Sequence, residues 1–451
     1  MSLFWQIAFR NLFRNGRRNL LTGASIAFGF IGISLLGGYI LRMERYLAVQ
    51  SVFLAGNGHV IVYAKNGLAK HVAEPNKHSL SPKDVEVLRN FANDPRVEFT
   101  AVSLKAGGLI YNGCQSYPFI ASAMEPKALI WERSRPEIAE FVPELGKPTH
   151  GNAFWELDPK EQPVMISPRL SMILDKQKVF GEPEAVPAPG IPNCALKESR
   201  LALRNDPSVQ LIGAAFEGGV ALSDATVSGH VSTGMAFEDD TAVLMPYAMA
   251  QTMYQTDKTT AFSYFLKDES KIAHFHRDLE AYIHTQGLDF DVYPFYDERI
   301  SAFYVGGMQF NYVMLCLFVV FVCTVVGISI SNSLYISLLE RKSELGTLRS
   351  LGFRQEQIRL LIVMENCILL VFSFIPAFAT AYGLLRLVHH ANIRILIPGL
   401  ANDVQFRLFL TPWYLSLVTI LISILVILVS YIGGGKYLKK PILELLGNSS
   451  C

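Results

Sequence analysis

The sequence predicts an α-helical membrane protein with four transmembrane helices and a large α+β extracytoplasmic domain inserted between spans one and two. Three observations carry this. Leu20–Leu41 and residues 300–339, 366–385 and 408–435 hold no charge, and each run reaches the ~20 residues that cross a bilayer. Between the first two runs, residues 43–305 mix strand and helix signals. The short segments flanking the spans carry their Lys and Arg on one side of a four-span path. The 51% apolar content alone would suit a soluble chain, but the placement of the charges excludes that. A net charge of +1 argues against a nucleic-acid binder.

Taking the elements in order, residues 1–19 include Arg10, Arg14, Arg17 and Arg18 and no acid. Span one, 20–42, contains Gly23, Gly29, Gly32, Gly37 and Gly38, small residues that let helices approach closely in lipid. A signal peptide shares the basic start and apolar core. This core is long for one, and three spans follow, so a retained anchor is expected. Span two, 306–336, lies in an apolar stretch that would be about 50 Å long as a helix, so it should project beyond the membrane. Residues 337–359 form a charged loop. Span three, 360–387, carries Glu365 and a proline, Pro376, that should kink it. Residues 388–411 make a short external loop. Span four, 412–435, has Trp413 and Tyr414 at one end and Tyr431 at the other, as interfacial aromatics. The tail, 436–451, holds Lys436, Lys439 and Lys440. Both termini are therefore expected in the cytoplasm and 43–305 outside.

Within that outside region, Gly58–Ala64, Arg96–Tyr111, Ser208–Phe216 and Thr241–Met249 are rich in strand formers. Ser81, Pro82 and Asp84 read as a cap, a first-turn proline and an acid at a helix start. Ile272, Phe275, Leu279 and Tyr282 recur at helical spacing. Glu182–Asn193, with Pro183, Pro187, Pro189 and Pro192, offers a division into two lobes. Cys114 and Cys194 are the cysteines expected outside; a disulfide and two independent buried thiols both remain open. Cys316, Cys323 and Cys367 lie in spans and read as small apolar fillers.

The sequence has no GxxxxGK[ST] phosphate loop and no HExxH motif. His274 and His276 would point about 200° apart on a helix, a poor metal pair, and no metal site is expected. An ionisable group in a span is costly and often functional. Glu365, one turn inside span three, can anchor structure, relay a proton or ion, or signal between domains. In the loop after span two, Glu340, Arg341 and Glu344 are spaced for an amphipathic turn, with Leu345, Leu348 and Leu351 as its apolar face and Gly352 as its end. Such a helix suits docking into a partner groove or resting on lipid headgroups.

Ser337–Glu365 resembles the most characteristic motif of a family of ABC transporter permeases, the one that includes lipoprotein-releasing, macrolide-exporter and cell-division types. Its ER pair, ELG, LR and LG are matched by Glu340-Arg341, Glu344-Leu345-Gly346, Leu348-Arg349 and Leu351-Gly352. Glu365 matches an acidic position at the start of the third span. Ile7–Thr22 resembles the family's cytoplasmic amphipathic N-terminal helix, and Tyr437–Gly447 its closing segment. Ser350 and Leu445 stand where Ala is common. Gly56–Tyr63 is similar to the first strand of lipoprotein-releasing members, the type this chain resembles most.

The resemblance implies a permease subunit in a bacterial inner membrane, not itself an enzyme. Its partners would be a cytoplasmic ABC ATPase dimer that binds ATP and magnesium, a second permease copy or paralogue, an extracytoplasmic lipoprotein or other cargo with a periplasmic carrier, and membrane lipids. The loop 337–359 would couple to the ATPase through Glu340, Arg341, Glu344, Leu345, Gly346, Leu348, Arg349, Leu351 and Gly352. The expected function is extraction or release of lipoproteins or lipid-linked cargo from the outer leaflet. The alternatives are mechanotransmission for export through an outer channel and a signalling permease without cargo. A cargo transporter should show an apolar groove at the outer ends of spans one and two. A secondary transporter fits poorly, for want of spans and intramembrane charge.

Overall fold

The computed structural model describes residues 16–141, 143–183, 185 and 193–438. The N-terminal segment up to Asn15, the prolines Pro187, Pro189 and Pro192, and the closing segment Pro441–Gly447 lie outside them. The chain divides into two units. One holds residues 1–44, 307–393 and 406–451, and the other holds residues 45–306 and 394–405.

The first unit is helical. Four helices are long and apolar enough to cross a membrane: Gly16–Leu54, Ala302–Glu340, Gln355–Ala391 and Pro412–Gly435. Helix continues through Pro376 in the third. The first span packs against the other three through its small residues. Gly23 faces Ser373 of span three, Gly29 faces Val322 and Val326 of span two, and Gly37 faces Tyr414 of span four. A Cβ on Gly37 would stand 1.8 Å from the Tyr414 hydroxyl, so only glycine admits that ring. The hydroxyl donates to the Ile33 carbonyl at 2.9 Å, which satisfies a polar group that lipid could not. Ile26, Phe30, Val326, Phe374, Val418 and Ile422 close the apolar centre.

The second unit is α+β and is built on one ten-stranded sheet. Its strands are β1 (Val60–Ala64), β2 (Val97–Tyr111), β3 (Ser116–Met124), β4 (His150–Gly151), β5 (Pro163–Ile166), β6 (Ser208–Ala214), β7 (Val220–His230), β8 (Ala242–Pro246), β9 (Ala261–Leu266) and β10 (Phe290–Pro294). The order is β10-β1-β9-β2-β3-β8-β5-β7-β4, with β6 bridging β2 and β7. β3 and β8 run parallel, as do β5 and β7. β1 and β9 are buried along their whole length, which explains the unbroken apolar run of β1; the one small polar residue of β9, Ser263, donates its hydroxyl to the Gly56 carbonyl at 2.9 Å. β2 pairs with β9 through its first half and with β3 and β6 through its second. Strands from both sides of the turn-rich segment therefore share one sheet.

Helices cover this sheet where their apolar faces predict. In Pro82–Phe91, the Ser81 Oγ accepts from the Asp84 amide and the Asp84 carboxylate accepts from the Ser81 amide. This is a capping box. Its Leu88 is fully buried, and the Leu88 carbonyl accepts from the Tyr264 hydroxyl of β9 at 2.7 Å. Ile272–Thr285 buries Ile272, Phe275, Leu279 and Ile283, and Phe275 packs on Phe91 at 5.5 Å between ring centroids. Cys114, in the β2–β3 turn, is disulfide-bonded to Cys194, with Cα atoms 5.6 Å apart.

One expectation requires correction. The α+β domain is not drawn solely from the chain between spans one and two. Residues 394–405, from the loop expected to be a simple cap between spans three and four, belong to it as well. Arg394–Ile395 (β11) pairs with Val404–Gln405 (β12). The loop tip then bonds to the segment after β7: Ala236 N–H to the Gly399 carbonyl, Ala401 N–H to the Gly234 carbonyl, both at 3.0 Å. Leu400 is buried there. Apolar burial and backbone pairing hold this segment on the domain.

Candidate functional site

The charged segment after span two folds into a short junction helix, Lys342–Ser350, set between the helix Ala302–Glu340 and the helix Gln355–Ala391. Arg341 departs from helical geometry (φ −103°, ψ 20°) and turns the chain there. The far end closes by a second device. Gly352 adopts φ +93°. Its N–H bonds the Arg349 carbonyl, and the Phe353 N–H bonds the Leu348 carbonyl, each at 3.1 Å. This is the Schellman pattern, which needs a left-handed residue and so favours glycine. Leu348 and Phe353 pack on the same apolar cluster, supplying the contact that accompanies the motif.

Arg341 organises the polar side of the junction. Its Nη1 donates to both carboxylate oxygens of Glu365, each at 2.9 Å. Its Nε donates to Glu344 at 3.1 Å. The Arg341 side chain is only 12% exposed and that of Glu365 17%, so this pair is screened little by solvent. Arg18, at the start of span one, pairs with Glu340 at 2.7 Å. A cavity of about 50 Å³ adjoins these groups, lined by Arg18, Ser337, Arg341, Glu365 and Asn366. The Arg349 guanidinium donates to the Leu438 carbonyl at the end of span four. The junction thus touches all four spans.

The apolar side divides differently from the sequence expectation. Leu345 and Gly346 are buried and Leu348 is half-buried, against Leu334, Leu338, Ile358 and Ile362. Leu351 is 71% exposed. The helix ends at Ser350, so Leu351 leaves the apolar face and stands at the outer tip. Ser343, Thr347 and Ser350 are exposed with it. The arrangement presents a small polar face with one leucine, on a helix braced from behind by an ion pair. Such a part can receive a push and pass it to the spans; it has no groups arranged for covalent chemistry.

Sequence reasoning placed Arg341 in the amphipathic turn and gave Glu365 an anchoring role toward the preceding loop, but named neither the Arg341–Glu365 pair nor the Arg18–Glu340 pair. The signal available was the presence of unmatched acids, Glu340 and Glu365, at the same edge. It also missed a buried charged group in the second unit, Glu132 and Arg133 with Asp239. The run Ile130-Trp131-Glu132-Arg133, ionisable residues directly after two large apolar ones, was its trace. Among the described residues, no group of three or more His, Cys, Asp or Glu side chains could hold a metal ion.

Residues 316–442 match the family model described as FtsX-like permease C-terminal. The membrane part carries an FtsX-like permease segment. That segment contains the whole junction, from Glu340 to Gly352 and on to Glu365. Two solved structures are similar to the chain. One is the extracellular domain of the noncanonic ABC-type transporter YknZ from Gram-positive bacteria, at 11% identity and a TM-score of 0.30, covering 52% of this chain and 98% of that one. The other is the periplasmic region of MacB from Actinobacillus actinomycetemcomitans, at 10% identity and 0.31, covering 53% and 90%. No curated protein sequence matches. The chain is thus a multi-pass membrane protein with an FtsX-like permease segment, an α+β domain and no phosphate-binding loop of its own.

Proposed function

We propose that this chain is a mechanotransmission permease. A separate cytoplasmic ABC ATPase dimer, holding ATP and magnesium, drives it, and its α+β domain acts on a partner outside a bacterial inner membrane. The braced junction helix within the FtsX-like segment carries this reading. The face of Ser343, Thr347, Ser350 and Leu351 docks in the ATPase groove. Arg341 and Glu365 pass its displacement to the third span. Both termini are cytoplasmic, and a second permease copy or paralogue completes the assembly.

Release of lipoproteins or lipid-linked cargo stands second. An apolar groove of about 500 Å³, lined by Leu20, Ala24, Phe28, Leu369, Phe372 and Pro376, supports it. That groove lies along spans one and three. A release path is expected at the outer ends of spans one and two, so this groove supports release less directly than the braced junction helix supports mechanotransmission.

Leu351→Asp tests the docking. Leu351 is exposed, so the fold should survive. A co-purifying ATPase should be lost and coupled hydrolysis should fall; unchanged recovery and coupling would refute the docking face. Mass spectrometry of the native complex decides between the two functions. An ATPase with an outer channel or cell-wall hydrolase supports mechanotransmission, and a stoichiometric acylated protein overturns it in favour of release.

A further inference from the structure

Three pieces of the second unit continue the membrane helices. Residues 45–54 prolong the helix of span one, residues 302–306 open that of span two, and residues 394–405 join spans three and four. All three meet one segment, the connection between β7 and β8, residues 231–241. From the first piece, Gln50, 4% exposed, donates through its Nε2 to the Thr233 carbonyl at 2.6 Å. Gly234 adopts φ +89°, and a Cβ there would stand 2.3 Å from the Gln50 Oε1, so glycine is required for this approach. From the second, the Phe303 ring lies 6.2 Å from that of Phe237 between centroids. From the third, Asn402 donates to the Ser232 Oγ at 2.8 Å, beside the two backbone bonds at Ala236 and Ala401.

Asp239 ties these contacts together. It is 2% exposed. Its Oδ1 accepts from the Thr233 N–H and the Thr233 hydroxyl, and its Oδ2 accepts from the Ser232 hydroxyl, each at 2.8 Å. Ser232 and Thr233 are also the residues that receive Asn402 and Gln50. The Ser232 hydroxyl spends its one proton on Asp239 and accepts from Asn402, so its orientation is fixed. Arg133 braces the same turn, donating to the Ser232 carbonyl at 3.2 Å. β7 and β8 both pair with β5, and β8 pairs with β3. What moves this connection therefore moves the middle of the sheet.

We infer that Asp239 is a positioning residue that joins the movements of the membrane helices before they reach the sheet, a role that rests on the mechanotransmission reading and places its action in the second unit. A shift of the span-one helix pulls on Thr233. A shift of the loop between spans three and four pulls on Ser232. Through Asp239 neither residue moves without the other, and the sheet receives one joint displacement. Without that carboxylate each pull strains its own contact alone, and the buried donors of Ser232 and Thr233 lose their acceptor, which is costly.

The test uses the full chain in lipid nanodiscs and hydrogen exchange of the amides in residues 231–241. Gln50→Ala and Asn402→Ala should each raise the opening frequency. In the Asp239 chain the double variant should depart from the product of the two single effects by on the order of fivefold or more, as residues sharing one network do. Asp239→Asn keeps the shape but replaces one accepting oxygen with a donor; in that background the two effects should multiply to within about twofold. Thr233→Val, which removes one of the three bonds, is the milder variant and should shrink the coupling partway. Effects that simply multiply in the Asp239 chain, or a coupling that persists unchanged in Asp239→Asn, would overturn the inference. The complex with its co-purified ATPase, with and without a non-hydrolysable ATP analogue and magnesium, separates this role from the reading beneath it. A response in Lys342–Ser350 that reaches residues 231–241 in the wild type and stops short of them in Asp239→Asn supports the role. A response that reaches them equally in both overturns the role of Asp239 alone. A junction helix that does not respond overturns mechanotransmission, and the role of Asp239 with it.

Discussion

Glu365→Gln should loosen the junction helix from the third span. The replacement leaves Arg341, 12% exposed, facing a neutral amide where it had held two charge-assisted bonds of 2.9 Å. Removing one partner of a fully buried ion pair costs about 3–5 kcal/mol, and of an exposed pair about 0–1 kcal/mol. The pair lies near the buried limit, but Arg341 keeps Glu344 through its Nε, so the loss should be about 2 kcal/mol. At ~1.4 kcal/mol per factor of ten, opening of the junction should become about thirtyfold more frequent. Hydrogen exchange of the amides in Lys342–Ser350 reads this directly. A double-mutant cycle with Arg341→Gln isolates the pair. A coupling energy below about 0.5 kcal/mol, the level of independent sites, would refute the argument that this ion pair holds the helix.

Gly37→Ala should lower the melting temperature, since a Cβ cannot coexist with the Tyr414 hydroxyl at 1.8 Å; an unchanged melt would mean that spans one and four do not meet there. Cys114→Ser with Cys194→Ser opens a loop of 80 residues and should cost about 2–4 kcal/mol, seen as a lower melting temperature than the wild type under non-reducing conditions. His230 is held at a pKa of about 4, first by burial and then by the charge of His150. A depressed base supplies stability above its ordinary value of 6.5, and that stability is lost as pH falls toward 4. The shift is worth about 3 kcal/mol. His230→Gln should flatten the melting temperature between pH 7 and pH 4, and a slope equal to the wild type would contradict the assignment.

The parts of this fold that were readable from sequence are those set by local chemistry. Charge-free runs mark helices for lipid because a charge there is expensive. The helix start at Ser81–Asp84 was visible because both capping partners lie within one turn. The long-range features were not. Arg341 lies at the turn between two helices and Glu365 within the next helix, and nothing in their spacing announces that these two side chains meet. Leu400 was assigned to a simple loop because its partner, Met235, is remote in sequence. Leu351 was placed on an apolar face by counting leucines, whereas Gly352 ends the helix before it. The burial of Asp239 among its three donors is a property of three-dimensional enclosure, and a sequence does not display enclosure.

β2 has a consequence for how the second unit assembles. Its first half closes on β9 and its second on β6 and β3, so both ends of the sheet wait on a single strand. β3 is the next strand in the chain, but β6 and β9 are distant, and such partners are slow to find one another. Until β6 and β9 arrive, β2 keeps an unsatisfied edge beside β3 and an unpaired first half, the form most prone to pairing with other chains. A chain cut after β3 would keep the β2–β3 hairpin but leave the first half of β2 without β9. The unit should therefore appear in cells either whole or as aggregate, and its expression limit should be the rate of sheet closure rather than the stability of the finished fold.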